Sequence, residues 1–267
     1  MRVALFGDSL LRQVFLAAAC GAWDSVVRSE VGWPRCRGAS RRRGGWPCRG
    51  GGEDDCVACG PGSGFHSAIV AFAGGLVVEF HASAEAEGVR RDELVARLEK
   101  YDAVVLEAGV KGMPHDAIGD RLGLAQALLR APRAPRHVLW METPAQHFGV
   151  SHSADGSYNA SAAAAAAATG EDCVATVLSQ RAEIEWAALR AASPPLLPRA
   201  FAGNDAAGIA SSTQSPALCG VLSLAGMETL GAAKVGGGDC THFCMPSGVT
   251  GALATALLAL LEACASG

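Results

Sequence analysis

The apolar positions of this chain fall into short unbroken runs separated by stretches with helical spacing, the pattern of strands alternating with helices. Arg2-Val3-Ala4-Leu5-Phe6 reads as a short buried strand that Gly7 breaks, and Leu10 to Cys20 carries Leu11, Phe15 and Ala18 on one helical face. An irregular stretch from about Arg28 to Gly64 follows. Ala68 to Phe72 and Leu76 to His81, joined about Gly74-Gly75, predict a hairpin. Asp92 to Tyr101 predicts a helix with Leu94, Leu98 and Tyr101 on one face and Glu93 paired with Arg97 on the other. Asp102 to Glu107 is a predicted buried strand, Ala117 to Arg130 a helix and His137 to Glu142 another strand. A polar loop with the alanine run Ala162 to Ala168 precedes an amphipathic helix, Asp172 to Ala192. Gly220 to Leu224 is the last predicted strand, before a loop that bears His242, and Ala252 to Cys264 reads as a terminal helix packed on the sheet.

Alternation of this kind predicts an α/β fold with a mostly parallel central sheet. Ligands in such sheets bind at the carboxyl ends of the strands, where Ser9, Glu107 and the Gln146-His147 turn fall. With 267 residues, half of them apolar, the chain can bury a full core as one domain, 1–267. That domain carries an irregular Arg/Gly/Cys-rich insert at about 28–64 and an Ala-rich loop at about 150–171. A net charge of −4 argues against an acidic polymer as main partner, so no nucleic acid is expected. The terminal apolar run is too short to span a bilayer, so no transmembrane segment is expected either. Arg35, Arg37, Arg41, Arg42, Arg43 and Arg49 crowd the insert; with Glu53, Asp54 and Asp55 beside them they read as a solvated segment before a polyanion site. Contact with an acidic polysaccharide is a further option. Cys36, Cys48, Cys56 and Cys59 make a poor zinc site, since only Cys56 and Cys59 have ligand spacing. No metal is expected.

Two strings carry chemistry. Gly7-Asp8-Ser9-Leu10 places Ser9 at a strand-to-helix turn, in the N-cap or first-turn position, where free backbone N–H groups stabilise developing negative charge. Asp239-Cys240-Thr241-His242 sets a carboxylate three residues before an imidazole. The acid can accept from one ring nitrogen while the other faces a serine. His242 is then the base that takes the Ser9 proton, and Asp239 fixes its tautomer.

The first block, Gly7-Asp8-Ser9-Leu10-Leu11-Arg12-Gln13 through Cys20, joins with Asp239-Cys240-Thr241-His242-Phe243-Cys244-Met245-Pro246 in a combined pattern. It resembles the trichome-birefringence-like and PC-esterase branch of the SGNH (GDSL-type) superfamily. Phe243 replaces that family's usual Trp and Met245 its usual Leu. Between the blocks, Trp140 through Phe148 is similar to a family strand ending in Pro-x-His-Phe, with one extra residue, and Gly170 to Cys173 resembles the Gly-Gly-x-Cys after it. The resemblance implies a three-layer α/β/α sandwich of SGNH type and a catalytic Ser9, Asp239 and His242. It implies transfer of an acetyl group to carbohydrate hydroxyls, as a polysaccharide O-acetyltransferase, with a polysaccharide or oligosaccharide as substrate. The same triad would serve a carbohydrate acetyl esterase if water accepts the group. No bound cofactor is expected; the acetyl donor, acetyl-CoA or another carrier, is a co-substrate. Asp8, Arg12, Glu107, Gln146 and His147 are the substrate-binding candidates, His147 in a site-wall or structural role outside the triad and Arg12 as a ligand for an acyl or sugar oxygen or else a core ion pair.

One departure bears on mechanism. Where the family has Asn-x-Gly after its strand, this chain has Glu107-Ala108-Gly109, and an ionised glutamate is an acceptor only. Either Glu107 turns away, or it is protonated in an apolar site, or the backbone N–H groups of Ser9 and Gly109 form the oxyanion hole alone, or the protein is a catalytically impaired glycan-binding relative. There are ten cysteines, an even number. Cys20, Cys173, Cys240 and Cys244 sit where the family, which is secretory, has cysteines, which implies disulfides and a Golgi or secretory-pathway lumen. The sequon Asn159-Ala160-Ser161 agrees with that compartment. No signal peptide or anchor precedes the first strand, so a fragment, an incomplete start or a minimal cytosolic relative are the readings of the amino terminus.

Overall fold

The computed structural model describes residues 1–32, 67–83, 88–109, 114–143, 180–192, 218–224, 234–236, 239–243 and 248–266. The arginine-rich insert with Cys36, Cys48, Cys56 and Cys59 lies outside them. So do the alanine run, the sequon, the segment from Pro144 to Phe148 that holds Gln146 and His147, and Cys173 and Cys244.

A seven-stranded sheet organises the described part. In chain order its strands are β1 (Arg2–Gly7), β2 (Val26–Gly32), β3 (Ser67–Phe72), β4 (Val77–Ala82), β5 (Ala103–Glu107), β6 (His137–Met141) and β7 (Gly220–Leu222). Across the sheet they run β2-β3-β4-β1-β5-β6-β7. The sheet is mixed, which corrects the expected mostly parallel one. β1 pairs in parallel with β4 and β5, and β6 with β5 and β7, while β3 is antiparallel to both β2 and β4. The antiparallel part follows from the β3–β4 hairpin. Its turn takes Gly74 to φ 93° and Gly75 to φ 83°, values that residues with a side chain rarely adopt.

The helices are α1 (Ser9–Gly21), α2 (Arg91–Leu98), α3 (Pro114–Arg130), α4 (Gln180–Ala191) and α5 (Gly248–Ser266). Alternate residues of the central strands enter two separate apolar clusters, because successive side chains of a strand face opposite ways. Val3, Leu5, Val105, Leu139 and Met141 pack with Leu11, Val14, Phe15 and Ala19 of α1 and with Ala254, Leu257, Leu261 and Cys264 of α5. Ala4, Phe6, Val104, Leu106, Val138 and Trp140 pack with Leu94 and Leu98 of α2, Ile118, Leu124, Ala125 and Leu128 of α3 and Leu189 of α4. Burial on both faces is why β1 and β5 read as continuous apolar runs.

Two further corrections concern segments read as irregular. Val26–Gly32 is an edge strand, β2. Asp239–Phe243 is also a strand, β9, paired antiparallel with β8 (Lys234–Gly236) in a small second sheet, so His242 lies in a strand instead of a loop. The terminal helix is longer than the expected 252–264 and is, by length and composition, sufficient to cross a membrane. Its buried residues Ala254, Leu257, Leu261 and Cys264 pack on the sheet, and Cys264 is disulfide-bonded to Cys219 beside β7.

Candidate functional site

β1 and β5 are parallel neighbours, yet α1, which follows β1, packs on one face of the sheet, and α3, which follows β5, packs on the other. The chain therefore diverges at the carboxyl ends of these two strands, the place where open α/β sheets leave a crevice for ligands. The buried polar side chains concentrate there. Among the described residues these are Asp8, Glu107, Glu142, Thr143, Glu185 and Thr250, and all but Thr250 belong to the ends of β1, β5 and β6 or to α4.

Ser9 is the first residue of α1, within the expected strand-to-helix turn. Asp8 is the N-cap: its Oδ1 accepts from the Leu10 N–H at 2.8 Å, and its carbonyl accepts from the Arg12 N–H at 3.1 Å. The Asp8 carboxylate is thus committed to fixing the start of the helix and, with it, the position of Ser9. Arg12 is half-buried in the first turns of α1.

Glu107 is fully buried and turned toward this junction. Its Oε2 accepts from the Asp8 N–H at 3.0 Å, which ties the end of β5 to the end of β1. Its Oε1 has no hydrogen-bond partner among the described residues. Burial, and next the negative charge of Asp8, push the Glu107 carboxyl well above the usual carboxylate range, favouring the neutral acid. Of the readings left open for this residue, turning away from the site is not what the structure shows.

Glycines make the close approach of these groups feasible. A Cβ on Gly7 would lie 2.5 Å from Glu107 Oε2 and 2.8 Å from Leu11 Cδ2. Gly109 has φ 81°, and a Cβ there would lie 3.0 Å from Asp8 Oδ2. The backbone of Gly109, one of the expected oxyanion donors, is therefore held against the Asp8 side chain.

Three groups that sequence reasoning missed complete the surroundings. Arg121 of α3 donates through Nε to the Glu107 carbonyl at 3.1 Å, with its guanidinium carbon 4.4 Å from the centre of the Phe6 ring. Burial lowers its pKa, opposed by the charges of Glu107, Asp120 and Asp8. Glu185 of α4 accepts from Trp140 Nε1 at 3.1 Å, from the Thr143 N–H at 3.2 Å and from Thr143 Oγ1 at 2.5 Å. Thr143 is also 3.5 Å from the Gly109 carbonyl. Glu142 accepts from the indole N–H of Trp186, from Ser223 Oγ at 3.0 Å and from the Leu224 N–H at 2.6 Å. The sequence does hold a signal for Glu185: it lies four residues before Leu189, on the face of α4 that enters the core.

The backbone of β9, which carries Asp239 and His242, passes beside α1, with Cα atoms of the two elements within 8 Å. The side chains of Asp239 and His242 are outside what the structure describes, as are Gln146 and His147. At the other end of the sheet, ligand atoms of His137, Cys219 and Cys264 lie within 4.8 Å of one another, but the two sulfurs are joined as a disulfide, which removes the thiolates a metal would take. Cys20, one of the cysteines matched to the family, is disulfide-bonded as well. Comparison with protein-family models, with curated proteins and with solved structures finds no match to this chain.

Proposed function

We propose that this protein is a serine acyl-enzyme of SGNH type that moves an acetyl group onto a carbohydrate hydroxyl. The observation that carries the reading is the placement of Ser9: first residue of α1, at the carboxyl edge where β1 and β5 diverge, amid the buried polar groups, with the β9 backbone alongside. The two apolar clusters, one holding α1 and α5 and the other α2, α3 and α4, support a three-layer α/β/α sandwich. The Cys219–Cys264 disulfide supports an oxidising, secretory compartment.

In the first half-reaction Ser9 Oγ attacks the carbonyl carbon of an acetyl ester or thioester. The new Oγ–C bond forms, the bond to the donor's oxygen or sulfur breaks, and His242 carries the Ser9 proton to that leaving atom. In the second, a sugar hydroxyl gives its proton to His242 and attacks the acetyl carbon, and the proton returns to Ser9 Oγ. Water in place of the sugar releases acetate, which makes the site an esterase. Asp239 holds His242 in the tautomer both steps need. The helix N-terminus at Ser9 and the amides of Ser9 and Gly109 stabilise the oxyanion.

The test is covalent labelling. A fluorophosphonate should label the wild type and spare Ser9→Ala, and a wild-type protein pre-loaded with an acetyl ester should hand labelled acetate to an oligosaccharide. Free acetate as sole product means esterase. Folded wild type that takes no label refutes the acyl-enzyme and favours glycan binding.

A further inference from the structure

β6 and β7 begin side by side at the amino end of the sheet, opposite the edge that bears Ser9. His137 opens β6, and its alternation with Leu139 and Met141 turns its side chain to the face that α5 covers. Cys219 precedes β7 and packs on that same face, with its N–H donating to the Val138 carbonyl at 2.8 Å. The His137 N–H donates to the Asp102 carbonyl at 3.1 Å, so hydrogen bonds of the sheet fix both residues. α5 approaches them closely because Gly220 has no side chain: a Cβ there would lie 2.7 Å from Leu260 Cδ1. Cys264 follows Leu260 by one helical turn, on the same face of α5. Three elements thus bring an imidazole and two sulfurs together, with their ligand atoms within 4.8 Å of one another.

In the oxidised protein the sulfurs bond to each other and hold α5 to the sheet. Reduced, they offer two thiolates beside a ring nitrogen, a donor set that suits zinc. Two thiolates, each about 2.3 Å from a tetrahedral zinc, stand about 3.8 Å apart. Side-chain rotation supplies that separation, since the Cα atoms of Cys219 and Cys264 are 5.9 Å apart. With neutral His137 as third ligand, the fourth position is left to water.

We propose that reduction converts the Cys219–Cys264 staple into a zinc site held by Cys219 Sγ, Cys264 Sγ and a His137 ring nitrogen, so that the terminal helix is pinned to the sheet by a disulfide in one redox state and by a metal ion in the other. A dithiol reductant opens the site. Its thiolate attacks Cys219 Sγ, the more exposed sulfur, and the bond to Cys264 breaks with the Cys264 thiolate as leaving group. The second thiol of the reductant then displaces Cys219 and closes the reductant's own disulfide. Two electrons pass to the protein sulfurs and the reductant is oxidised by two. When zinc binds, the protons of both cysteine thiols go to solvent as two Zn–S bonds and one Zn–N bond form. The inference is independent of the acyl-enzyme reading, because none of these atoms belongs to the edge at Ser9.

Alkylation protection tests it on the full chain. The protein is reduced with a phosphine, which competes little for zinc, and treated with iodoacetamide with and without zinc ion. Peptide mass spectrometry reads each cysteine separately, so the other cysteines of the chain do not obscure the result. Zinc is expected to slow alkylation of Cys219 and Cys264 together by at least tenfold, and EDTA should reverse this. In His137→Gln, whose disulfide and fold are verified in the oxidised state by circular dichroism, the zinc concentration that gives half-protection should rise at least about tenfold, since losing a ligand costs no less than losing its supporting partner. Zinc should also raise the Tm of the reduced wild type and leave that of the oxidised protein unchanged. Equal alkylation of Cys219 and Cys264 with and without zinc, or the same half-protection in His137→Gln, overturns the site. If reduction unfolds the chain, refolding on addition of zinc supports the proposal and a failure to refold overturns it.

Discussion

The Asp8 amide donates to Glu107 Oε2 across 3.0 Å, so the residue that caps α1 and the last residue of β5 share one buried hydrogen bond. Asp8 fixes where the helix begins, Glu107 fixes Asp8, and Ser9 inherits its position from both.

That bond has a consequence for stability against pH. Folding raises the Glu107 pKa above its ordinary value of 4.5, chiefly through burial. The native state therefore keeps a proton that the unfolded chain releases. The stability this group supplies is complete below about pH 4.5, declines as the pH rises toward the folded-state pKa and is lost above it. Each tenfold difference in proton affinity between the two states is worth about 1.4 kcal/mol. Glu107→Gln removes the titration, so urea unfolding at pH 5 and pH 8 should show the wild type losing ground to the variant at the higher pH. A difference that is constant, or that grows in the wild type's favour with pH, contradicts the buried neutral acid.

Gly7 and Gly109 should be intolerant of any side chain. Gly7→Ala drives a methyl into Glu107 Oε2 and Leu11, both packed, and overpacking of this kind costs about 1–3 kcal/mol. Gly109→Ala adds the penalty of its positive φ to contact with the Asp8 carboxylate. Gly21 at the end of α1 is the control, because nothing lies within 4 Å of a Cβ there and its φ is not positive. Gly21→Ala should be neutral or stabilising by up to about 1 kcal/mol. Denaturation midpoints of the three variants check the ranking, and a tolerant Gly7→Ala would mean that Glu107 can move away.

The sequence makes the half of the sheet beside Ser9 readable because β1, β5 and β6 are buried on both faces and their apolar runs end abruptly at Gly7, Glu107 and Glu142. The other half is harder. β2 is an edge strand whose Arg28, Ser29 and Glu30 are all polar, and whose Val27 is 69 % exposed, so hydrophobic periodicity has little to register. β8 and β9 are separated by Gly237-Gly238, a two-residue glycine connection that is a hairpin signal, but the glycine-rich context reads equally as loop. Ser9 is legible from its turn. The supporting carboxyls of Glu142 and Glu185 are not, because their donors come from other elements, and that pairing is invisible until the strands are assembled.

Glu185 should behave as a structural acceptor. It satisfies the Trp140 indole and both donors of Thr143 in a buried setting. Glu185→Ala strands all three, and with each buried unsatisfied donor costing about 1–3 kcal/mol, short of full additivity, a loss of about 3–5 kcal/mol is expected. Glu185→Gln retains one acceptor oxygen, and the Thr143 hydroxyl can rotate to accept from its NH₂, so its loss should be about half as large. Urea unfolding with an unchanged slope reads this out. A near-silent Glu185→Ala would mean that other groups satisfy Trp140 and Thr143.

The Cys219–Cys264 disulfide makes the last prediction. It joins the start of β7 to the final turns of α5 across a sequence separation of 45, with the Cα atoms 5.9 Å apart. Closing a loop of that length in the unfolded chain is worth about 4 kcal/mol in the chain-entropy treatment. Its removal acts on the cluster that holds α1, since Cys264, Leu261 and Leu257 pack there with Leu11 and Phe15. Replacing both cysteines by serine should therefore lower stability by about 2–4 kcal/mol, lower the Tm by several degrees and loosen the support of Ser9. Dithiothreitol should reproduce the shift in the wild type and leave smaller effects in the double variant. The labelling rate at Ser9, measured well below the Tm, separates the two consequences: a fall in Tm with an unaltered rate confines the disulfide to stability, whereas a matching fall in rate shows that α5 braces the helix on which Ser9 sits.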